Sequence, residues 1–386
     1  MNSELMHERK SKMVVLDIKL DNFYAFKNFH MNLTYPKKIL GSTIENEHLP
    51  ERTNFRYKKV NVIFGANASG KTTFGRMIMK IFNFIDRKNY TFLTEKICDR
   101  TREASFVIDM ASQNNYLYRV MCSIPPIDDD HIVANDIKVE VRKEKILVRD
   151  SYESCIKRLS NKPYTPAENY IEELEKIERL TWFFEYPIDN NRKLSLPNKD
   201  ENFRFVLENV LKSLDTSIKE VKISQDADKA YVVHLQNQSI VLQDDQPLDT
   251  EMFSSGTKAG IELSNILSSL IQGKNGFYYC DEKFSYIHTD IEKAILSLMI
   301  TFLKPCDQLF FTTHNTDILD MDLPKHAYTF LRKDVSNLEC PITCVEASSF
   351  LKRDTDSLRN AVENDLFSTS PALELIYDLI DYNKEG

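Results

Sequence analysis

Residues Gly65-Ala66-Asn67-Ala68-Ser69-Gly70-Lys71-Thr72 meet the spacing G-x-x-x-x-G-K-[ST] in full. Two glycines so placed let the backbone curl until successive N–H groups point inward at phosphate oxygens. Lys71 would set a positive charge against the β- and γ-phosphates of a nucleotide. The Thr72 hydroxyl can ligate Mg²⁺, and Thr73 closes the set of nucleotide contacts. The chain has only nine glycines in 386 residues, where average usage is about 7%. A chain this sparing of glycine places it where the backbone requires it.

Asp281-Glu282 follows the apolar run Phe277-Tyr278-Tyr279-Cys280. A carboxylate pair at the carboxyl end of a buried strand stands where ligands bind in a parallel sheet. Asp281 would hold Mg²⁺ through water, and Glu282 could accept the proton of an attacking water. His314 follows the next apolar run, Gln308-Leu309-Phe310-Phe311-Thr312, two residues further on; a histidine there can donate to a γ-phosphate and sense its departure.

These residues need strands and helices in a set order. Val60-Asn61-Val62-Ile63-Phe64 is a short apolar run of the buried-parallel kind, and residues 72–84 carry apolar side chains at helical spacing, so strand, loop and helix stand in the required sequence. Residues 14–34 read as two strands with a turn near Asn22, with Val14, Leu16, Ile18 and Leu20 alternating. The stretch 104–148 reads as an antiparallel meander. Residues 150–215 read as a helical insertion, with helices over 170–180 and 203–214. A hairpin over 230–242, a helix over 257–271, a helix over 291–303 and a closing amphipathic helix over 371–380 complete the plan.

Composition narrows the class. A hydrophobic share of 42% and a charged share of 28% suit a water-soluble globular chain, and no apolar run reaches membrane-spanning length. The N-terminal residues lack the apolar core of a secretory signal. Seven scattered cysteines suit reduced thiols and a cytoplasmic location, and Cys340 and Cys344 lack partners that would complete a zinc site. The net charge of −8 argues against a surface basic all over. The basic stretch at Arg142-Lys143-Glu144-Lys145, like Lys352-Arg353, is mixed with acids and reads as a solvated face.

Four segments stand in one order: GANASGKT (65–72), FSSGTKAGIEL (253–263), YYCDEKFSYIH (278–288) and FFTTHNTDILD (310–320). Together they resemble the ABC-type ATPase superfamily, which includes SMC and RecF proteins and transporter cassettes. Ser254-Ser255-Gly256 resembles that family's signature, Leu-Ser-Gly-Gly-Gln, with Phe253 for Leu, Ser255 for the first Gly and Thr257 for Gln. Small residues before a helix start present bare N–H groups and a dipole to a phosphate. The resemblance implies that this phosphate belongs to ATP held by another copy, giving a homodimer or higher homo-oligomer with ATP sandwiched between subunits. It implies an α/β fold with an ABC-type P-loop NTPase core, an antiparallel β subdomain and a helical insertion, using ATP and Mg²⁺. No glutamine between Lys71 and Ser254 stands in a strand context that would mark the family's Q-loop.

The two-serine signature, Lys283 where proline is usual, His288 and the run TTHNTDILD narrow the resemblance further. They are similar to the bacterial AAA family ATPase group that includes OLD, RloA and AbiLi-related proteins and the ATPases of the PARIS and Septu antiphage systems. The tail over 350–371 is similar to that group's closing segment. The implied organisation is residues 1–149 as the first part of the core, 150–215 as the insertion, 216–345 as the second part of the core, and 346–386 as a tail for partner or oligomer contacts. The implied role is an ATPase sensor and scaffold that controls a separate effector, a nuclease of TOPRIM or HNH type, with a phage protein or DNA as trigger. The alternative is a RecF- or SMC-like DNA-repair ATPase that clamps DNA. An SMC-like reading needs a heptad-bearing coiled coil, which 125–249 lacks.

Overall fold

The computed structural model describes residues 11–39, 41–127, 134–186, 193–246, 254–284, 287–353 and 356–367. Phe253 and the expected helix over 371–380 lie outside them. In chain order the elements are β1 (Met13–Asp21), β2 (Phe29–Asn32), β3 (His48–Leu49), β4 (Arg52–Arg56), β5 (Val60–Phe64), α1 (Lys71–Arg87), α2 (Thr91–Thr94), β6 (Ala104–Ser112), β7 (Tyr116–Ile124) and β8 (Lys138–Lys145). There follow α3 (Tyr152–Asn161), α4 (Tyr170–Glu175), β9 (Trp182–Glu185), α5 (Glu201–Leu214), β10 (Ile218–Ile223), β11 (Ala230–Leu235), β12 (Ser239–Gln243) and α6 (Ser255–Gln272). The chain continues through β13 (Phe277–Asp281), α7 (Thr289–Phe302), β14 (Gln308–Thr312), β15 (Tyr328–Lys333), β16 (Ile342–Glu346), α8 (Ala347–Phe350) and α9 (Leu358–Glu363).

The core sheet runs β16-β15-β5-β14-β13-β9, with every neighbouring pair parallel except β15 and β16. Strands β5, β13 and β14 are buried along their whole length, which is why they read as unbroken apolar runs. Their side chains still alternate. Ile63, Phe277, Tyr279 and Phe310 face α1, while Val62, Tyr278, Cys280, Leu309 and Phe311 face α6 and α7. On its far side α1 meets the antiparallel sheet β2-β1-β6-β7-β8, so its Phe74, Met77, Ile78, Ile81 and Phe82 fill one core between two sheets. Each such side chain contributes about 1.5–3 kcal/mol by leaving water.

Two local differences from the sequence expectation have clear causes. A bulge between Val15 and Asp17 splits the β1 alternation. Val14 and Leu16 face a core formed with β4, Leu117 and α3, whereas Ile18 and Leu20 join Val15 in the α1 core. The segment 150–215 holds α3, α4 and α5 but also β9, which pairs with β13 at the edge of the core sheet. Its four residues are too short for a periodicity to declare them. Helix α5 packs on the three-stranded sheet β10-β11-β12, forming a smaller core of its own. Among the described residues, no helix is long and apolar enough to cross a membrane. Arg142 pairs with Glu140 and lies over the Tyr164 ring, and Lys143 lies over Tyr116 and Tyr118, so this basic stretch is engaged within the sheet.

Candidate nucleotide site

The loop between β5 and α1 is shaped by its glycines. Gly70 adopts φ +105° immediately before the helix, a conformation that side chains rarely adopt. A Cβ on Gly65 would collide with Ser69 Oγ and stand 2.6 Å from the carbonyl oxygen of Leu331. Ala68 also takes a left-handed conformation, φ +62°. Gly70 brings no side-chain cap to α1, so the first-turn amides of Lys71, Thr72 and Thr73 point out of the helix end toward the loop. This is a cradle a side chain would fill, and it fits a phosphate chain.

Lys71 folds back into the loop. Its side chain is buried, and Nζ donates to the carbonyl oxygens of Gly65 at 2.7 Å and Ala66 at 3.2 Å. It also pairs with Glu282 Oε1 at 3.1 Å. Thr72 Oγ1 donates to Asp281 Oδ2 at 2.6 Å. Tyr279, two residues before Asp281, donates its hydroxyl to the Lys71 carbonyl oxygen at 2.8 Å and so ties the start of α1 to β13.

Three strands set these groups side by side. Ile63 of β5 pairs with Thr312 of β14, which pairs with Asp281 of β13. Thr312 Oγ1 donates to Asp281 Oδ1 at 2.6 Å and accepts from the Glu282 N–H at 3.1 Å. Asp281 is fully buried. Burial pushes its carboxyl above the usual range, the hydrogen bonds from Thr312 and Thr72 pull it down, and the nearby Glu282 charge adds to the rise.

Successive strand residues point to opposite faces, so two adjacent carboxylates could not both reach one loop from a regular strand. Glu282 escapes this through φ +42°, a left-handed conformation that costs a non-glycine residue about 1–2 kcal/mol. The turn brings its carboxylate to Lys71 while Asp281 reaches Thr72.

His314 is exposed at the loop after β14. Its neighbours anchor it. Thr313 Oγ1 donates to Glu292 Oε1 at 3.0 Å, and Asn315 Nδ2 donates to Glu292 Oε2 at 2.7 Å. Glu292 sits buried on α7, and burial raises its carboxyl against those two hydrogen bonds. His288 caps α7, accepting from the Asp290 N–H at 3.2 Å.

Ser254 and Ser255 are exposed at the start of α6, with Gly256 partly so. Ser254 Oγ accepts from the Thr257 N–H at 3.1 Å, a regular helix cap. Lys71, Thr72, Asp281 and Glu282 therefore form one bonded cluster, while Ser254-Ser255-Gly256 and His314 stand at the surface. Thr312, Tyr279 and Glu292 were not singled out from the sequence. Thr312, as a hydroxyl at the end of a buried apolar strand, was the most legible of the three.

The donor set fits Mg²⁺. Thr72 and Asp281 supply hard oxygens, and this ion is usually held by one or two protein groups with phosphate oxygens and water. Among the described residues there is no group of three or more His, Cys, Asp or Glu that could hold an ion by itself.

No protein-family model matches the chain, and no curated protein matches it. Solved structures do. An SMC head bound to the C-winged helix domain of ScpA superposes with a TM-score of 0.50 at 12% identity, covering 87% of this chain and 99% of that one. The SMC head domain from Thermotoga maritima gives 0.42 at 11%, covering 86% and 98%. The recombination mediator protein RecF, in its ATPrS form, gives 0.44 at 10%, covering 88% and 100%. The first of these likenesses shows the fold: this chain has the mixed α/β architecture of an SMC head, with parallel and antiparallel sheets.

Proposed function

We propose that this chain binds and slowly hydrolyses ATP, and that its complete sites form between two copies. The bonded cluster of Lys71, Thr72, Asp281 and Glu282 carries this reading. Residues 65–73 and Lys71 would hold the phosphates, and Thr72 and Asp281 would hold Mg²⁺, which neutralises charge on the phosphate oxygens. Glu282 would take the proton from the attacking water, once phosphate competes with it for Lys71. His314 would donate to the γ-phosphate. Ser254, Ser255 and Gly256 at the exposed start of α6 would close on the nucleotide of the other copy.

The proposed role is an ATP-dependent sensor and scaffold in a bacterial antiphage system, acting in the cytoplasm on a separate nuclease effector in answer to a phage protein or DNA. The sequence run TTHNTDILD and the Lys283 variant support it. In this reading 1–149 and 216–345 form the ATPase, 150–215 is inserted, and 346–386 meets partners. The likeness to an SMC head favours a second reading, a DNA-clamping ATPase of SMC or RecF type. Against it, the longest helix among the described residues of 125–249 is α5, with 14 residues, too short for a coiled-coil arm.

Phosphate release by the purified chain in ATP and Mg²⁺, with sedimentation in parallel, tests the biochemical reading. Release is expected from the wild type but not from Glu282→Gln, which should accumulate an ATP-bound dimer. A monomer at saturating ATP would count against the shared site. Plaque counts on cells carrying the gene and its neighbours, with and without Lys71→Ala, test the biological role; equal counts would refute it.

A further inference from the structure

The residue after Glu282 is a lysine, and its charge is buried. Lys283 has a side chain 1% exposed, ion-paired with Glu262 of α6 and, at 3.5 Å, with Glu185 at the end of β9. Those two carboxylates are themselves 14% and 6% exposed. Desolvating an ammonium costs several kcal/mol, and an apolar side chain of similar volume often serves stability as well or better. Packing alone therefore gives no reason for a charge here.

The three elements that meet at Lys283 give one. The strained turn at Glu282 is held on its N-terminal side by the bond from its N–H to Thr312. Lys283 holds the other side. Glu262 lies seven residues, about two turns, into α6 from Ser255. A helix moves as a unit over that length, so a displacement of the Ser254 end is felt at Glu262. Glu185 fixes the same ammonium to the core sheet through β9.

We propose that Lys283 is a positioning residue that couples the two nucleotide sites of the dimer. Docking of α6 on the nucleotide of one site sets, through Glu262 and Lys283, the turn that aims Glu282 in the other. The inference rests on the proposed shared-site ATPase and adds a route of communication to it.

The test uses the full chain as wild type, Lys283→Met, Lys283→Arg, Glu262→Gln and the triple variant K283M/E185Q/E262Q. Phosphate release against ATP concentration, direct ATP binding and thermal melting are measured for each. Coupling energies of the usual size correspond to about 5–150-fold, so Lys283→Met and Glu262→Gln should lose about tenfold or more in kcat while the Kd for ATP changes by less than about threefold. The Hill coefficient should fall to about 1. Lys283→Arg should keep part of the rate. The triple variant removes the three charges of this cluster together, so it should melt at or above the wild-type temperature yet stay slow.

A triple variant with wild-type rate and cooperativity overturns the coupling, as does one that fails to fold, since the cluster would then be a folding element only. Loss of ATP binding in step with kcat overturns it too. Glu282→Gln run alongside separates the two layers. If it turns over normally, the proposed site is wrong, and a wild type without turnover removes both readings. If Glu282→Gln is inactive while Lys283→Met is fully active, only the coupling falls.

Discussion

Glu282 Oε1 lies 3.1 Å from Lys71 Nζ, so the candidate base is ion-paired with the candidate phosphate-binding cation. One lysine thereby holds both the loop carbonyls and the carboxylate, and phosphate oxygens compete with all three. Lys71→Ala should remove ATP binding by at least about tenfold, the scale of one lost charge-assisted hydrogen bond. Glu282→Gln should keep ATP binding and lose about 10²–10⁴-fold in kcat. Isothermal titration and phosphate release separate the two outcomes.

Asp281 adds a pH dependence. Its carboxyl is raised by burial, so the folded chain holds that proton more tightly than the unfolded chain. The corresponding stability is present below the ordinary carboxylate pKa and is lost as pH rises through the raised folded value. Mg²⁺ needs the ionised form, so binding of Mg²⁺ with nucleotide should tighten over that same rise and release a proton. Calorimetry in buffers of different ionisation enthalpy reads that proton. Asp281→Asn should abolish it and, without nucleotide, should melt higher than the wild type near neutral pH.

Glu292 accepts from both neighbours of His314. Glu292→Ala leaves the Thr313 hydroxyl and the Asn315 amide without this acceptor, at about 1–3 kcal/mol in stability. The melting temperature should fall and kcat should drop toward that of His314→Ala, with ATP affinity nearly unchanged. Equal kcat in wild type and Glu292→Ala would show that the loop needs no such anchor.

Ser254→Arg should leave ATP binding to one subunit intact and block hydrolysis, because the added side chain fills the exposed end of α6. The lost cap costs only about 1 kcal/mol, so the fold should survive. Circular dichroism and nucleotide titration check the first point, and surviving hydrolysis would show that this segment is not the signature.

Tyr279→Phe removes one bond to the Lys71 carbonyl oxygen and little else, since the ring stays packed between β9 and β14. A stability loss of about 1 kcal/mol by denaturant melting is expected.

Much of the frame was legible because it is local. Glycine spacing and the step from a buried run to helical periodicity mark residues 60–84 within one stretch of chain. Strands β13 and β14 and helices α6 and α7 declare themselves in the same way, to within a few residues at their ends. The β1 alternation misled, since a bulge is invisible to periodicity and reassigns Ile18 and Leu20 to another core. Strand β9 escaped for a related reason: four residues beside a proline carry too little pattern.

By itself the sequence determined that a loop with the spacing expected of a phosphate cradle stands between a buried strand and a helix, and that two carboxylates and a histidine stand at or just beyond the ends of two later strands. Those are properties of neighbouring residues, set by backbone sterics and burial. Only the tertiary structure decided that Thr312 stands between Ile63 and Asp281, that Glu282 turns left-handed to meet Lys71, and that Lys283 is buried between Glu262 and Glu185. Periodicity reports how deeply a residue is buried. It does not report which distant residue lies against it, and at this site the chemistry is decided by that pairing.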